Sequence, residues 1–196
     1  MSSVAAKVPG RACDGCTLCC RLPAIVELAK PAHVLCSHCE IAKGCTIYDT
    51  RPSTCRKFEC LYLAGGQLGE QWKPLHCHMF VAYHAGANRI VIHVDSEFPD
   101  AWRQEPHYGD IKRMAAALYP KSGQVMVLHG TTATAILPDR DKPLGVYDDD
   151  KIIVTSEQPG PDGPRYDMFL YDKDDPQLAA LRQQAGAVLD RTAPGK

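Results

Sequence analysis

The chain has 196 residues, of which 45% are hydrophobic and 23% are charged, and its formal net charge is −1. This composition is typical of a globular protein and argues against extensive disorder. The chain is long enough to form a hydrophobic core that is stable without disulfides or bound metal. A net charge near zero gives no electrostatic reason to bind nucleic acid or an anionic membrane. Residues 1–12 lack the apolar core of a secretory signal, and no window approaches a membrane span, so we predict a cytoplasmic protein.

Nine of the ten cysteines lie within forty-eight consecutive residues near the amino terminus. The first four have the spacing C-x2-C-x2-C-C, and Gly15 lies among them at a turn that we expect to need a positive φ. In a reducing cytosol this density indicates metal binding or catalysis rather than disulfides. We therefore predict a metal-binding module over residues 1–78. Its candidate ligands are Cys13, Cys16, Cys19, Cys20, Cys36, Cys39, Cys45, Cys55 and Cys60.

The spacing fits two kinds of metal centre. From Cys16 to Cys39 the chain reads C-x2-C, sixteen residues, C-x2-C, which is the two-knuckle pattern of a four-cysteine zinc site. From Cys13 to Cys19 it also supplies three local ligands for a [4Fe–4S] cluster, although no cysteine is followed by proline. The adjacent thiols of Cys19 and Cys20 favour more than one metal or a bridged cluster. We predict zinc, with a [4Fe–4S] cluster as the alternative.

Positive charge accompanies these thiols. Residues 1–60 carry eight Lys and Arg against five Asp and Glu, whereas residues 61–196 carry fourteen against eighteen. Since thiolates are anionic, Arg51, Arg56 and Lys57 could offset a metal site that stays net negative.

Two segments resemble a known family. Residues 13–20 (C-D-G-C-T-L-C-C) and 44–58 (G-C-T-I-Y-D-T-R-P-S-T-C-R-K-F) resemble the CxxCxxCC family, also called the YkgJ-like zinc- or iron-chelating domain, over the first third of the chain. The resemblance implies a cysteine cluster that chelates zinc or iron, with no settled molecular function; flagellin lysine methylases carry a related cluster. The residues that it marks are Cys13, Cys16, Cys19, Cys20, Cys36, Cys45 and Cys55, framed by Tyr48, Arg51 and Pro52, with Cys39 and Cys60 matching less closely.

Beyond Cys45 we expect a turn that enters a helix between Tyr48 and Cys60, continues its apolar stripe to Tyr62, and ends at Gly65. Next comes the sequence His76-Cys77-His78, which could supply a ligand or a separate site. We expect the other histidines to be structural.

The sequence pattern of residues 79–196 predicts an α+β body. Short runs rich in Val, Ile, Tyr and Thr predict strands, with turns at residues 86–88 and at Gly130. The predicted strands are Met79–Tyr83, Arg89–Val94, Gln124–His129, Thr132–Leu137, Lys151–Thr155 and Arg165–Tyr171, and the predicted helices are Asp110–Leu118 and Gln177–Leu189. We therefore predict an α+β fold in which the cysteine-rich module packs on a mostly antiparallel sheet.

The sequence favours a metal-binding protein whose molecular role is otherwise open. One alternative is an iron–sulfur enzyme of redox or protein-modification type, and another is a protein that handles zinc or iron. The predicted partner is a metal ion, and the sequence leaves open a protein partner as well. No nucleophile motif or phosphate-binding loop is present, and we interpret the acidic run at residues 148–150 as a solvated turn rather than a Mg²⁺ site.

Overall fold

The computed structural model describes residues 7–58, 60–148 and 150–184. Within these ranges the chain forms short helices and mostly antiparallel sheets, which confirms the predicted α+β class. None of the helices in the described ranges is both long enough and apolar enough to span a bilayer.

The chain divides into two compact units. The first comprises residues 1–83 and 92–107, and the second comprises residues 84–91 and 108–196. All the cysteines belong to the first unit. The boundary after residue 78 that the sequence suggests stays a prediction.

Short elements connected by turns dominate the cysteine-rich part. The helices are α1 (Leu18–Arg21), α2 (Ser53–Lys57), α3 (Leu61–Ala64) and α4 (Pro74–Cys77), and the strands are β1 (Cys39–Glu40) and β2 (Gly44–Cys45). One helix was predicted to run through Phe58, and this was wrong, because α2 ends at Lys57 and the backbone of Phe58 is extended with ψ 125°. The Phe58 ring packs edge-on against Phe80, with 5.1 Å between centroids, beside the buried Leu18 and Leu22. This packing favours the break between α2 and α3.

A five-stranded sheet follows along the chain. Its strands are β3 (Met79–His84), β4 (Arg89–Val94), β5 (Gln124–His129), β6 (Thr132–Ile136) and β7 (Asp141–Val146), in that spatial order. The turns are those predicted, since Asn88 after β3 has φ 47° and Gly130 after β5 has φ 59°. Strand β7 was missed because Pro143 and Gly145 interrupt its pattern and its side chains are mostly exposed or half-buried.

The remaining predicted elements are also present. The strands β8 (Lys151–Gln158) and β9 (Arg165–Asp172) form a separate antiparallel pair over their whole length. Helix α5 (His107–Leu118) buries Ile111 and Ala115 at a spacing of one turn. Helix α6 (Pro176–Gln184) confirms the start of the last predicted helix, whose end at Leu189 lies outside the described residues.

Candidate metal centre

The first cysteine group is shaped by a tight turn. The Cys16 amide donates to the Cys13 carbonyl over 2.8 Å, and Gly15 within this turn has φ +76°, which confirms the predicted positive φ. A Cβ atom on Gly15 would lie 2.5 Å from the Ala42 carbonyl oxygen, so this position accepts only glycine without movement. The turn thereby brings the first cysteines against the segment that joins β1 and β2.

Helix α1 carries the next two thiols and is anchored at its end. The Arg21 guanidinium forms an ion pair with Asp95, whose side chain is only 3% exposed, and a weaker one with Glu97. Because breaking a buried ion pair is strongly unfavourable, this contact fixes the position of Cys19 and Cys20 within the first unit.

Backbone pairing places the middle cysteines beside these two. Strands β1 and β2 put Cys39 directly opposite Cys45. The Cys36 amide donates to the Cys20 carbonyl over 3.0 Å, and the Cys39 amide donates to the Cys36 carbonyl over 3.0 Å. Cys20 and Cys36, sixteen positions apart in the sequence, are therefore neighbours in the fold.

Helix α2 presents Cys55 and is held by a contact with Glu27, which lies in a short 3-10 turn. The Glu27 carboxylate accepts hydrogen bonds from the Thr54 amide (2.9 Å) and hydroxyl (2.6 Å). These bonds to Thr54 lower the pKa of Glu27 to about 2. Cys60, which immediately precedes α3, forms a β-bridge with Ala82. Each of the two last thiols is thus fixed by a separate contact.

Eight cysteines line a single cavity of about 200 Å³. They are Cys13, Cys16, Cys19, Cys20, Cys36, Cys45, Cys55 and Cys60. Cys39 is not among them, but it is buried in contact with Cys20 and Cys36. All ten cysteines of the chain are free thiols. The structure therefore brings the nine predicted ligands into one neighbourhood.

The thiols surround this space without closing on a point. In the part of the chain that the structure describes, no three His, Cys, Asp or Glu side chains form a group that could hold a metal ion. A tetrahedral zinc with Zn–S bonds of about 2.3 Å would require sulfur atoms about 3.8 Å apart. The donor set has the chemistry of a thiolate centre, and the ligand role of each cysteine stays a prediction.

Seven of the clustered thiols have a raised pKa and so favour their neutral form, those of Cys13, Cys16, Cys20, Cys39, Cys45, Cys55 and Cys60. A hydrogen bond with the Cys19 thiol, together with burial, raises the pKa of Cys20 far above its ordinary value. Burial and the neighbouring Cys20 raise the pKa of Cys39 to about 12, and burial raises the pKa of Cys60 to about 11. Near neutral pH, a metal ion must therefore displace protons to bind here.

We expect the metal-free protein to lose stability in alkali. Thiols with a raised pKa in the folded state stabilise that state below their unfolded pKa of 9.0, and this contribution is lost as the pH rises through the folded values, about 11 for Cys60 and about 12 for Cys39. Urea unfolding of chelator-treated protein at pH 8 to 11 measures the effect. A Cys60→Ala variant should show a shallower decline, and a decline equal to that of the wild-type chain would contradict the pKa assignment.

Cations lie on the lining of the same cavity. Lys7, Arg51 and Arg56 all contribute to it. The Lys7 ammonium donates to the Tyr48 hydroxyl over 2.9 Å, and the Arg51 guanidinium lies 3.6 Å from the centroid of the same ring. Positive charge therefore stands beside the thiols, as the sequence indicated for Arg51 and Arg56, whereas Lys57 does not line the cavity.

Sequence reasoning missed Lys30. Its ammonium is buried and donates to the carbonyl oxygens of Arg21 (2.9 Å) and Pro31 (2.9 Å), and to that of Pro23. The sequence offers little warning, because a lysine before a proline usually lies in an exposed loop. The only signal is its place within the apolar stretch between the first two cysteine groups.

The sequence His76-Cys77-His78 does not join the cavity. Cys77 is buried, and its thiol donates to the Met79 carbonyl over 3.3 Å, while burial raises its pKa to about 11. The His78 ring stacks on Phe98, with 3.5 Å between centroids, and His76 is exposed. The contacts of Cys77 and His78 are those of residues that stabilise the packing of the first unit.

The acidic run lies in the turn before β8. The Asp148 carboxylate accepts from the Asp150 amide over 2.9 Å, and Asp150 pairs with Lys173 over 3.0 Å. Asp149 lies outside the described residues. These contacts agree with a solvated turn.

Comparison with protein-family models, with curated proteins and with solved structures finds no match for this chain. The likeness to the CxxCxxCC family therefore rests on residues 13–20 and 44–58 of the sequence, and membership stays a prediction.

Proposed function

We propose that the protein binds zinc or iron through its amino-terminal cysteine thiolates, inside the cavity that eight of them line. The single observation that carries the proposal is this convergence of eight free thiols from five separate chain segments on one space of about 200 Å³. Such thiols remain reduced in the cytoplasm, which is the compartment that we propose.

The number of thiols supports more than one metal ion. A mononuclear zinc site closes with four ligands, so four of the eight lining thiols would have no role. Bridged zinc ions or an iron–sulfur cluster would use a larger share of them.

The residues that would hold the metal are the eight lining cysteines, joined by Cys39 through its contact with Cys20. Bound zinc would supply folding free energy, and a [4Fe–4S] cluster would supply electron transfer. The chain's own contribution is to fix the thiols, to place cations beside them, and to exclude water on the apolar side. The apolar residues that line the cavity include Ile25, Leu28 and Phe58.

Metal analysis of protein purified without oxygen tests the proposal. We expect two or more metal ions per chain, since the lining thiols exceed the needs of one ion. Colourless protein with zinc supports the first form of the proposal. Brown protein that absorbs at about 400 nm supports the iron–sulfur form. A reduced, folded chain that takes up neither zinc nor iron would contradict both.

The rate at which the protein releases its metal distinguishes the metal-handling alternative from a permanent metal centre. Transfer of the metal to a chromophoric chelator within minutes favours handling, because a structural zinc is released far more slowly. The surplus of thiols over four is the observation that favours this alternative.

A further inference from the structure

Lys30 is the only buried lysine among the described residues, with 7% of its surface exposed. All the hydrogen-bond acceptors of its ammonium are neutral backbone carbonyls, those of Arg21, Pro23 and Pro31. Within the described ranges it has no carboxylate partner. The carbonyls satisfy the hydrogens of the ammonium, but they leave its net charge without a counter-ion.

A buried cation without an anion is strongly unfavourable. The Arg21 carbonyl, to which the ammonium donates over 2.9 Å, directly follows Cys20 in the chain. Burial lowers the pKa of the Lys30 ammonium, and the nearby thiols of Cys36, Cys20, Cys55 and Cys19 act against that shift. The negative charge that Lys30 lacks in the metal-free chain is therefore available from these sulfurs once metal has displaced their protons.

On the basis of the proposed function, we propose that Lys30 is the internal counter-charge of the metal–thiolate centre. A zinc ion held by four thiolates is a net dianion, and a bridged cluster is also anionic, so a fixed cation nearby lowers the free energy of the loaded state. Lys30 does not line the cavity itself but is buried behind it, bonded to the carbonyl of the residue after Cys20. Lys30 thus acts as a positioning residue that makes the cavity select an anionic, thiolate-rich centre.

Arg51 is a second cation near the thiols, and its surroundings can be compared with those of Lys30. Burial raises the pKa of Cys13, Cys45 and Cys55 and Arg51 acts against that rise, whereas the thiols near Lys30 are those of Cys36, Cys20, Cys55 and Cys19, so the two cations share Cys55. Arg51 is held through its Nε donation to the Tyr48 carbonyl (2.7 Å) and lies half-buried. Lys30 is the buried member of the pair, so solvent screens its charge less.

A purely structural role is the competing explanation, because the three carbonyl bonds also close the loop that Ile25 and Lys30 form by pairing their backbones. Lys30→Gln separates the two roles. Glutamine keeps donor groups for the carbonyls but removes the charge, whereas Lys30→Met removes both. The matched control is Lys43→Gln in the same unit, because the Lys43 side chain is 75% exposed and pairs with the exposed Glu40.

The experiment measures zinc affinity by competition with a chromophoric chelator, and urea unfolding of the same proteins without metal. We expect Lys30→Gln and Lys30→Met to bind zinc about 10- to 100-fold more weakly, and Lys43→Gln to stay within about threefold of the wild-type value. We expect metal-free Lys30→Gln to unfold at the same urea concentration as the wild-type chain or a higher one, since an uncompensated buried charge is gone.

Two results would overturn the inference while leaving the proposed function intact. One is wild-type zinc affinity in Lys30→Gln, and the other is a loss of metal-free stability in Lys30→Gln that accounts for its weaker binding. A wild-type chain that is folded and reduced but binds neither zinc nor iron would instead overturn the proposed function, and this inference with it.

Discussion

Replacing Cys20 by serine should remove most of the bound metal. Cys20 is 8% exposed, lines the cavity, and contacts Cys36 and Cys39 in the buried cluster. Burial raises the pKa of the thiols of Cys13, Cys16, Cys39, Cys45 and Cys55, and Cys20 is close enough to raise it further. No other position combines these contacts so fully, and a serine hydroxyl does not replace a thiolate ligand. We expect the affinity for zinc to fall more than about 100-fold, because loss of an outer-shell partner alone costs about 10- to 100-fold.

The matched control is Cys77→Ser. Cys77 is as buried as Cys20, at 6% exposed, but its thiol donates to the Met79 carbonyl and does not line the cavity. A serine hydroxyl can make the same hydrogen bond, so this variant should retain the metal content of the wild-type chain. Elemental analysis and chelator competition, with circular dichroism to establish folding, measure both variants. Equal metal content in both, or loss only in Cys77→Ser, would contradict the assignment of the centre to the cavity.

Because Cys20 is buried, its substitution could unfold the chain, so a third variant tests a thiol that is less buried. Cys55 is half-buried on the short helix α2 and also lines the cavity. Cys55→Ser should fold readily and still bind metal more weakly, by about tenfold or more. Retention of full affinity by folded Cys55→Ser and folded Cys20→Ser together would remove the basis of the proposed function.

Local sequence patterns carried most of the information about the body of the fold. Strands such as Arg89–Val94 and Gln124–His129 were predictable because runs of β-branched residues are bounded by turn residues, and helix α5 because its apolar residues recur at helical spacing. Strand β7 was not predictable, since a proline and a glycine in an exposed strand look like a loop. The break between α2 and α3 depends on where the Phe58 ring packs, which is a tertiary contact.

For the candidate centre, spacing indicated which cysteines belong together but not how they meet. Cys36 follows Cys20 by sixteen positions, yet a single backbone hydrogen bond makes them neighbours. Cys39 has the spacing of a zinc knuckle but lies behind the cavity lining rather than on it. Lys30 could not be found from a pattern, because its role depends on burial against three carbonyls that only the folded loop brings together.

Replacing Gly15 by alanine should destabilise the protein by about 2–4 kcal/mol, which is the sum of two effects. An alanine with φ near +76° is strained by about 1 kcal/mol, and its Cβ atom would lie 2.5 Å from the Ala42 carbonyl oxygen. That oxygen belongs to the segment between β1 and β2, which carry Cys39 and Cys45, so relief of the clash moves the first thiols away from the second group. Urea unfolding and zinc titration should therefore both change.

Gly10→Ala isolates the strain from the clash. Gly10 has φ +81°, close to that of Gly15, but no atom lies within 4 Å of the added carbon. Its alanine variant should lose only about 1 kcal/mol and should keep its metal. If Gly10→Ala and Gly15→Ala lower the free energy of unfolding equally, the clash with the Ala42 carbonyl does not contribute to the loss of stability. If Gly15→Ala is less stable but binds zinc with unchanged affinity, the turn at Gly15 does not set the distance between the two groups of thiols.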